Sequence, residues 1–186
     1  MAQSQVTNKA INRLALPAMV SGLVEPLISL TDLAIVGSVP NDAELVVGAV
    51  GVSGSILSAL IWVFAQTKSS ISAYVSKALG AKNLSSVGVV VPQILSLMFI
   101  ISIIVSAVCF FSQSILFEQF FDLDPKMFGY AKSYFSIRIL GFPLTLLTFS
   151  LFGLFRGLQN TTWAMTISII GGLANILLDL VLVKGW

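Results

Sequence analysis

Glu25, Asp32, Arg138 and Asp179 are the residues able to do chemistry, because each stands inside a stretch otherwise apolar enough to cross a membrane. An ionisable side chain at the centre of a bilayer costs roughly 2.5–3.5 kcal/mol on insertion scales, and such residues mark ion or substrate pathways. Asn175 precedes Asp179 by one helical turn, on the same face by the i, i+4 rule. Carboxylate and amide oxygens suit a hard monovalent cation. Two neighbouring carboxylates cannot both ionise cheaply, so the pair can hold a proton or a cation near neutral pH. The plainer alternative is that each aspartate bonds to a neighbouring helix or is hydrated near the interface, with Asn175 an ordinary interhelical amide.

Depth supports one shared site. Asp32 falls about 19–21 residues into its span, roughly 30 Å from the inner end, and Asp179 about 16–17 residues into its own, roughly 25 Å. Both carboxylates can then share the outer half of the membrane and line one water-filled pocket with Asn175. Glu25 and Arg138 fall nearer mid-depth. They can form an ion pair; alternatively Arg138 snorkels outward and Glu25 bonds to backbone freed by Pro26. Pro26 removes a helical hydrogen bond between the two acidic residues and can bend the first helix, as a moving gate would require.

The elements that carry these residues are membrane spans. Hydrophobic residues are 56% of the chain and charged residues 10%, with a mean hydropathy of +0.97, against roughly 25% charge in soluble domains. About 20 apolar residues suffice to cross a bilayer as a helix. Five spans are predicted, at 11–39, 45–79, 87–111, 128–155 and 163–183. The fold class is therefore an all-α polytopic membrane protein, with the lipid bilayer as its first partner. Pro40-Asn41-Asp42 and Asp122-Leu123-Asp124-Pro125 are turn formers, and Gly80 and Gly157 sit where helix terminators would. The run Gly48-Ala49-Val50-Gly51-Val52-Ser53-Gly54 reads as close helix packing, and Gly171-Gly172 as the same or as a loosening below Asn175.

With the amino terminus in the cytoplasm, Lys9, Arg13, Lys77, Lys82 and Arg156 lie inside, and only Lys126, Lys132 and Lys184 are basic outside, leaving Lys68 unassigned. That is the orientation the positive-inside rule favours. There is no histidine, so any carried proton rides on a carboxylate. The single cysteine, Cys109, lies in an apolar run and reads as filler. The amino-terminal run continues past Glu25 and Asp32 without a cleavage site and reads as a retained helix. The net charge of +2 gives no argument for nucleic acid. No phosphate loop, nucleophile elbow or metal-ligand spacing points to an enzyme, and no internal repeat stands out. The chain stops at Trp186, shortly after a fifth span, which reads as a cut after a helix.

Leu14-Ala15-Leu16-Pro17-Ala18, Glu25-Pro26-Leu27 and Thr31-Asp32-Leu33-Ala34-Ile35-Val36-Gly37 resemble the first helix of the multidrug and toxic-compound extrusion (MATE) family. Phe155-Arg156-Gly157-Leu158-Gln159-Asn160-Thr161 resembles that family's loop after the fourth helix, and Asn175-Ile176-Leu177-Leu178-Asp179 its fifth-helix motif. The Pro26-containing helix looks closest to the DinF-like branch. The resemblance implies twelve helices in two six-helix lobes, of which residues 1–186 would supply most of the amino-terminal lobe. It also implies exchange of H+ or Na+ for drugs or other small organic, often cationic, compounds, with Asp32, Asn175 and Asp179 as the ion site and no other cofactor. The carboxy-terminal helices, or a partner chain, would complete the path, in a bacterial inner membrane. Two rivals stand beside this reading. A lipid-linked oligosaccharide flippase would need more basic residues in the cavity than Arg138, and a non-transporting membrane interaction module would use the aspartates for association.

Overall fold

The computed structural model describes residues 8–39 and 41–184, all of whose regular structure is helical. Pro40 of the predicted turn and Trp186 lie outside them. The helices are α1 (Asn8–Val36), α2 (Ala43–Gly80), α3 (Leu84–Phe121), α4 (Pro125–Leu140), α5 (Phe142–Gly157) and α6 (Thr161–Lys184). Four of them, α1, α2, α3 and α6, are long and apolar enough to cross a membrane, and α4 with α5 makes a fifth span, bent by 46°.

Two elements differ from expectation. The third helix continues ten residues past the apolar run that predicts its end at 111, because its polar residues find partners on α4. Gln113 Oε1 accepts from Ser136 Oγ at 2.7 Å, Lys132 Nζ donates to Ser114 Oγ at 3.0 Å, and Phe117 is fully buried. The fourth span is broken at Gly141-Phe142-Pro143. Proline has no N–H and its ring crowds the carbonyl four residues back, here that of Ile139. That carbonyl keeps a backbone N–H at the end of α4 and accepts a further bond from Ser106 Oγ on α3 at 2.8 Å. Pro17 and Pro26, by contrast, lie inside an unbroken α1.

The helix ends share a device. Asp124 caps α4, accepting from Lys126 N at 2.9 Å with Pro125 as the first helical residue. After α2, Asn83 N bonds Ala78 O at 2.9 Å and Lys82 N bonds Leu79 O at 3.1 Å; after α5, Asn160 N bonds Phe155 O at 2.9 Å and Gln159 N bonds Arg156 O at 3.0 Å. Both are Schellman ends. Their left-handed residues are Lys82 (φ 56°) and Gln159 (φ 60°), not the glycines. The segments Gly80-Ala81-Lys82-Asn83 and Gly157-Leu158-Gln159-Asn160 thus repeat one turn, too short to register as a sequence repeat.

The core lies among α2, α3, α4 and α5. Phe117, Phe135 and Phe142 are fully buried, with the Phe117 and Phe135 rings edge-on at 5.5 Å and Phe64 against Phe142 at 6.1 Å. Cys109 packs beside this cluster as a free thiol, in keeping with the filler reading. Gly153 and Gly157 let α5 seat on α2: a Cβ at Gly153 would stand 2.5 Å from Lys68 O, and one at Gly157 would stand 2.6 Å from Val75 Cβ. The α1 helix packs chiefly on α6, and this pair touches the other four helices much less than they touch one another.

Candidate functional site

The face of α1 turned to α6 carries Leu14, Ala18, Ser21, Val24, Ile28, Asp32 and Ile35, a helical stripe of partly or fully buried positions. The facing stripe of α6 carries Gly172, Asn175 and Asp179. Gly172 sets the spacing, since a Cβ there would lie 3.1 Å from both Val24 Cγ1 and Ile28 Cδ1. At one end Thr161 Oγ1 donates to Leu14 O at 3.1 Å. Beyond the Gly172 contact, away from Thr161, the Asp32 carboxylate meets that of Asp179, with the Arg138 guanidinium in the same charged neighbourhood. Tyr134 lies close enough to feel all three.

The polar accounting at this contact does not close. Asp32 Oδ1 and Asn175 Oδ1 are buried side-chain oxygens without a hydrogen-bond partner among the described residues. Buried polar atoms are nearly always paired, and an orphan costs about 1–3 kcal/mol. The cause is chemical: ionised carboxylates bring acceptors and no donors, so Asp179 cannot satisfy Asp32 unless a proton or cation lies between them.

Asp32 also borders a cavity of about 590 Å³ between α1 and the α2–α4–α5 group. Glu25 and Ser29 line it from α1, Ser55, Ser58 and Trp62 from α2, Tyr134 and Arg138 from α4, and Thr145 and Phe149 from α5. Of the three residues expected to line one pocket, Asp32 is the one that lines this cavity. Asn175 and Asp179 stand behind it in the α1–α6 contact.

The Glu25–Arg138 ion pair that similar depth allows does not form; the one ion pair among the described residues joins Lys126 to Asp42. The charged neighbour of Glu25 is Lys68, whose Nζ stands 5.5 Å from the Phe149 ring centre and 5.8 Å from that of Phe152. Arg138 instead lies 5.9 Å from the ring centre of Tyr134, one turn earlier on its own helix. The break at Gly141 ends α4 just after Arg138, where the helix dipole favours a cation. It also opens a second cavity of about 160 Å³, lined by Arg138, Gly141 and Thr145.

Sequence reasoning passed over Tyr134, Trp62, Phe149 and Lys68. Tyr134 had a signal, its i, i+4 spacing to Arg138. Trp62 and Phe149 had none, because an aromatic facing a cavity and one facing lipid read alike. The small-residue run divides: Ala49 and Ser53 are buried, the latter donating to Ala131 O at 3.2 Å. Gly48 faces Met127, whereas Gly51 and Gly54 meet nothing and line the cavity.

Comparison with known proteins bears on the family and the fold. DNA damage-inducible protein F of Escherichia coli (strain K12) is 27% identical over 186 residues, covering 96% of this chain and 38% of its own length. Protein DETOXIFICATION 42 of Arabidopsis thaliana is 39% identical over 56 residues, 30% of this chain and 11% of its own. A MOP superfamily transporter from Pyrococcus furiosus, described as having a binding pocket of reverse polarity, superposes with a TM-score of 0.83 at 22% identity over 93% of this chain and 37% of that one. An outward-facing multidrug resistance MATE family transporter of the same superfamily does so with a TM-score of 0.84 at 22% identity over 93% of this chain and 38% of that one. At such identity the likeness speaks for the fold. The chain spans 38% of the length of the Escherichia coli protein. The MatE family model matches residues 17–181, across all the helices that bear Asp32, Arg138, Asn175 and Asp179, and the chain belongs to that family.

Proposed function

We propose that the chain forms most of the amino-terminal lobe of an antiporter that exchanges a proton or a sodium ion for small organic compounds. Asp32 and Asp179 hold the coupling ion, and Asn175 orients one carboxylate. The observation that carries this reading is the pair of orphaned oxygens, Asp32 Oδ1 and Asn175 Oδ1, buried beside a second carboxylate at the wall of a cavity. They lack a positive charge or a donor, which is what the coupling ion supplies. The multidrug resistance function of one structural relative supports an organic solute. The protein lies in the plasma membrane, a bacterial inner membrane, with its amino terminus cytoplasmic, as its loop lysines and arginines favour.

The exchange follows from where Asp32 stands. An ion entering from the cavity cancels one of the two carboxylate charges, relieves their repulsion and lets α1 seat on α6. The same event removes negative charge from the cavity wall, so a cationic solute loses a partner when the ion binds. A lipid-linked oligosaccharide flippase would need several cations to meet a pyrophosphate, and Arg138 is the single basic residue among those lining the cavity.

The test is Asp32→Asn in the whole transporter of which these residues are the amino-terminal part. Coupled efflux is expected to vanish while membrane insertion persists. The ion-free protein should gain about 1–3 kcal/mol of stability, because the new amide supplies a donor where an acceptor is orphaned. Efflux at the wild-type level overturns the site. Sodium titration at constant pH identifies the ion: for a sodium site, wild-type stability rises by about 2.7 kcal/mol at a hundredfold excess over Kd and the variant stays flat.

A further inference from the structure

Glu25 and Lys68 are charges that the ion site does not use. Glu25 lines the cavity from α1, and Lys68 is its charged neighbour on α2, yet no ion pair joins them. The Lys68 ammonium rests instead against two rings, with Nζ 5.5 Å from the centre of Phe149 and 5.8 Å from that of Phe152. An aromatic face attracts a cation, but less than a carboxylate does. Arg156, the other charged neighbour of Lys68, repels it. Charge at membrane depth is costly, and opposite charges there pair where the backbone allows.

The backbone explains why these two stand apart. On α2, Lys68 is fixed, because Gly153 of α5 seats so closely that a Cβ there would lie 2.5 Å from Lys68 O and 3.0 Å from its Cα. Nothing comparable holds Glu25. Its helix packs chiefly on α6, and Pro26 beside it has no N–H for the Gly22 carbonyl four residues back. A Cβ at Gly22 would meet no neighbour. The α1 side is therefore the one free to move. Since α1 forms one wall of the cavity and α2 and α5 form others, bringing Glu25 to Lys68 narrows that cavity, about 10 Å along α1 from Asp32. We propose that Glu25 and Lys68 are the two halves of an ionic latch between α1 and α2, open in this structure, which closes by movement of α1 and narrows the cavity.

The experiment uses the whole transporter in lipid nanodiscs, with Cys109 and any other cysteine replaced by alanine. Spin labels go on Leu23→Cys and Ser69→Cys, exposed positions of α1 and α2 that line no part of the cavity. Double electron–electron resonance should resolve two distances, the longer matching this structure and the shorter the closed latch. In Glu25→Gln and in Lys68→Gln the ratio of shorter to longer should fall at least about threefold, the factor that an average hydrogen bond between membrane helices is worth. Combining Glu25→Lys with Lys68→Glu exchanges the charges and should restore the ratio, and Lys68→Arg should retain it.

A single distance in the wild type, a ratio unchanged in both glutamine variants, or an exchanged pair that inserts yet keeps the low ratio overturns the latch. Where the exchanged pair does not insert, Lys68→Arg decides. A retained ratio upholds the latch, since a guanidinium still reaches the carboxylate, and a loss equal to that of Lys68→Gln overturns it. Neither an ion gradient nor a solute enters these measurements. Wild-type efflux by Asp32→Asn therefore refutes the ion site and leaves the latch standing, whereas a single distance refutes the latch and leaves the ion site standing.

Discussion

Replacing Ser106 by alanine deletes one oxygen atom, and the structure predicts a cost set by a residue on another helix. Pro143 has no N–H to give the Ile139 carbonyl; a backbone N–H at the end of α4 bonds it instead, and Ser106 Oγ adds a bond at 2.8 Å from α3. Ile139 is fully buried and Ser106 nearly so, so water cannot take over. Hydrogen bonds between membrane helices average only about 0.6 kcal/mol, because the separated helices find other partners. Here the carbonyl keeps a backbone N–H at the end of α4, so Ser106 supplies one interhelical bond, worth about 0.5–1.5 kcal/mol. Ser106→Ala should fall in that range, lowering the melting temperature by roughly 2–4 °C per kcal/mol.

Ser102 supplies the control. It is equally buried, but its hydroxyl donates at 2.7 Å to Phe99 O on its own helix, so its loss removes no bond between helices. Ser102→Ala should cost less than about 0.5 kcal/mol. The decisive comparison is a double-mutant cycle. Pro143→Ala gives Ile139 O a regular helical N–H and straightens the break, so Ser106→Ala should cost about 0.5 kcal/mol less in that background than in the wild type. Thermal unfolding in detergent of the four proteins measures the coupling. Equal costs in both backgrounds would refute the reasoning, as would a Ser102→Ala variant as damaged as Ser106→Ala.

Gly153→Ala should lose about 1–3 kcal/mol, because its Cβ would lie 2.5 Å from Lys68 O and neither backbone can yield without separating α2 from α5. Gly54→Ala, open to the cavity, should leave the melting temperature unchanged or higher in the same assay. Gln159→Gly should gain up to about 1 kcal/mol, since a left-handed residue at φ 60° costs any side chain other than glycine about that much; an unchanged melting temperature would count against strain there. Asp42 is bonded by Lys126 Nζ at 2.9 Å and by the Tyr130 hydroxyl at 3.0 Å, in that order the causes that hold its carboxyl below the ordinary range. Its contribution is therefore present above the unfolded carboxyl's pKa and lost as pH falls through the depressed folded value. Asp42→Asn should flatten that part of an acid unfolding curve, and an unchanged curve would show the pair idle.

The residues that pointed to a site were legible because charge in an apolar run is conspicuous. Asp32, Asn175 and Asp179 stood out one at a time, and the i, i+4 spacing put two of them on one face before any packing was known. Pairing was not legible. Equal depth cannot decide that Glu25 neighbours Lys68 while Arg138 neighbours Asp32, because the azimuth of each helix depends on packing details such as Gly172 and Gly153. The end of α3 was misplaced for a related reason. A local hydropathy reading stops at Ser112 and Gln113, whereas Ser136 and Lys132 on α4 make continuation favourable. The break in the fourth span had its signal in Gly141-Phe142-Pro143, but prolines at 17 and 26 carried the same signal and left α1 whole.

The charged contact sits where packing is poorest, and this bears on how an ion can drive motion. Among the described side chains of α1 only Ile35 is buried, and α6 buries only Thr161, Ala164 and Gly172, while the phenylalanine cluster lies wholly among α2 to α5. Moving the α1–α6 pair against the other four helices therefore breaks few close-packed contacts, and close packing is what holds helices together in lipid. The two positions of such a pair differ by a few kcal/mol, within reach of one ion's unequal affinity for them. Had Asp32 stood beside Phe117 and Phe135, the same ion would have had to disrupt a close-packed aromatic cluster as well. On the proposed reading, the weak seam along α1 is what allows a single neutralised carboxylate to change the shape of the cavity beside it.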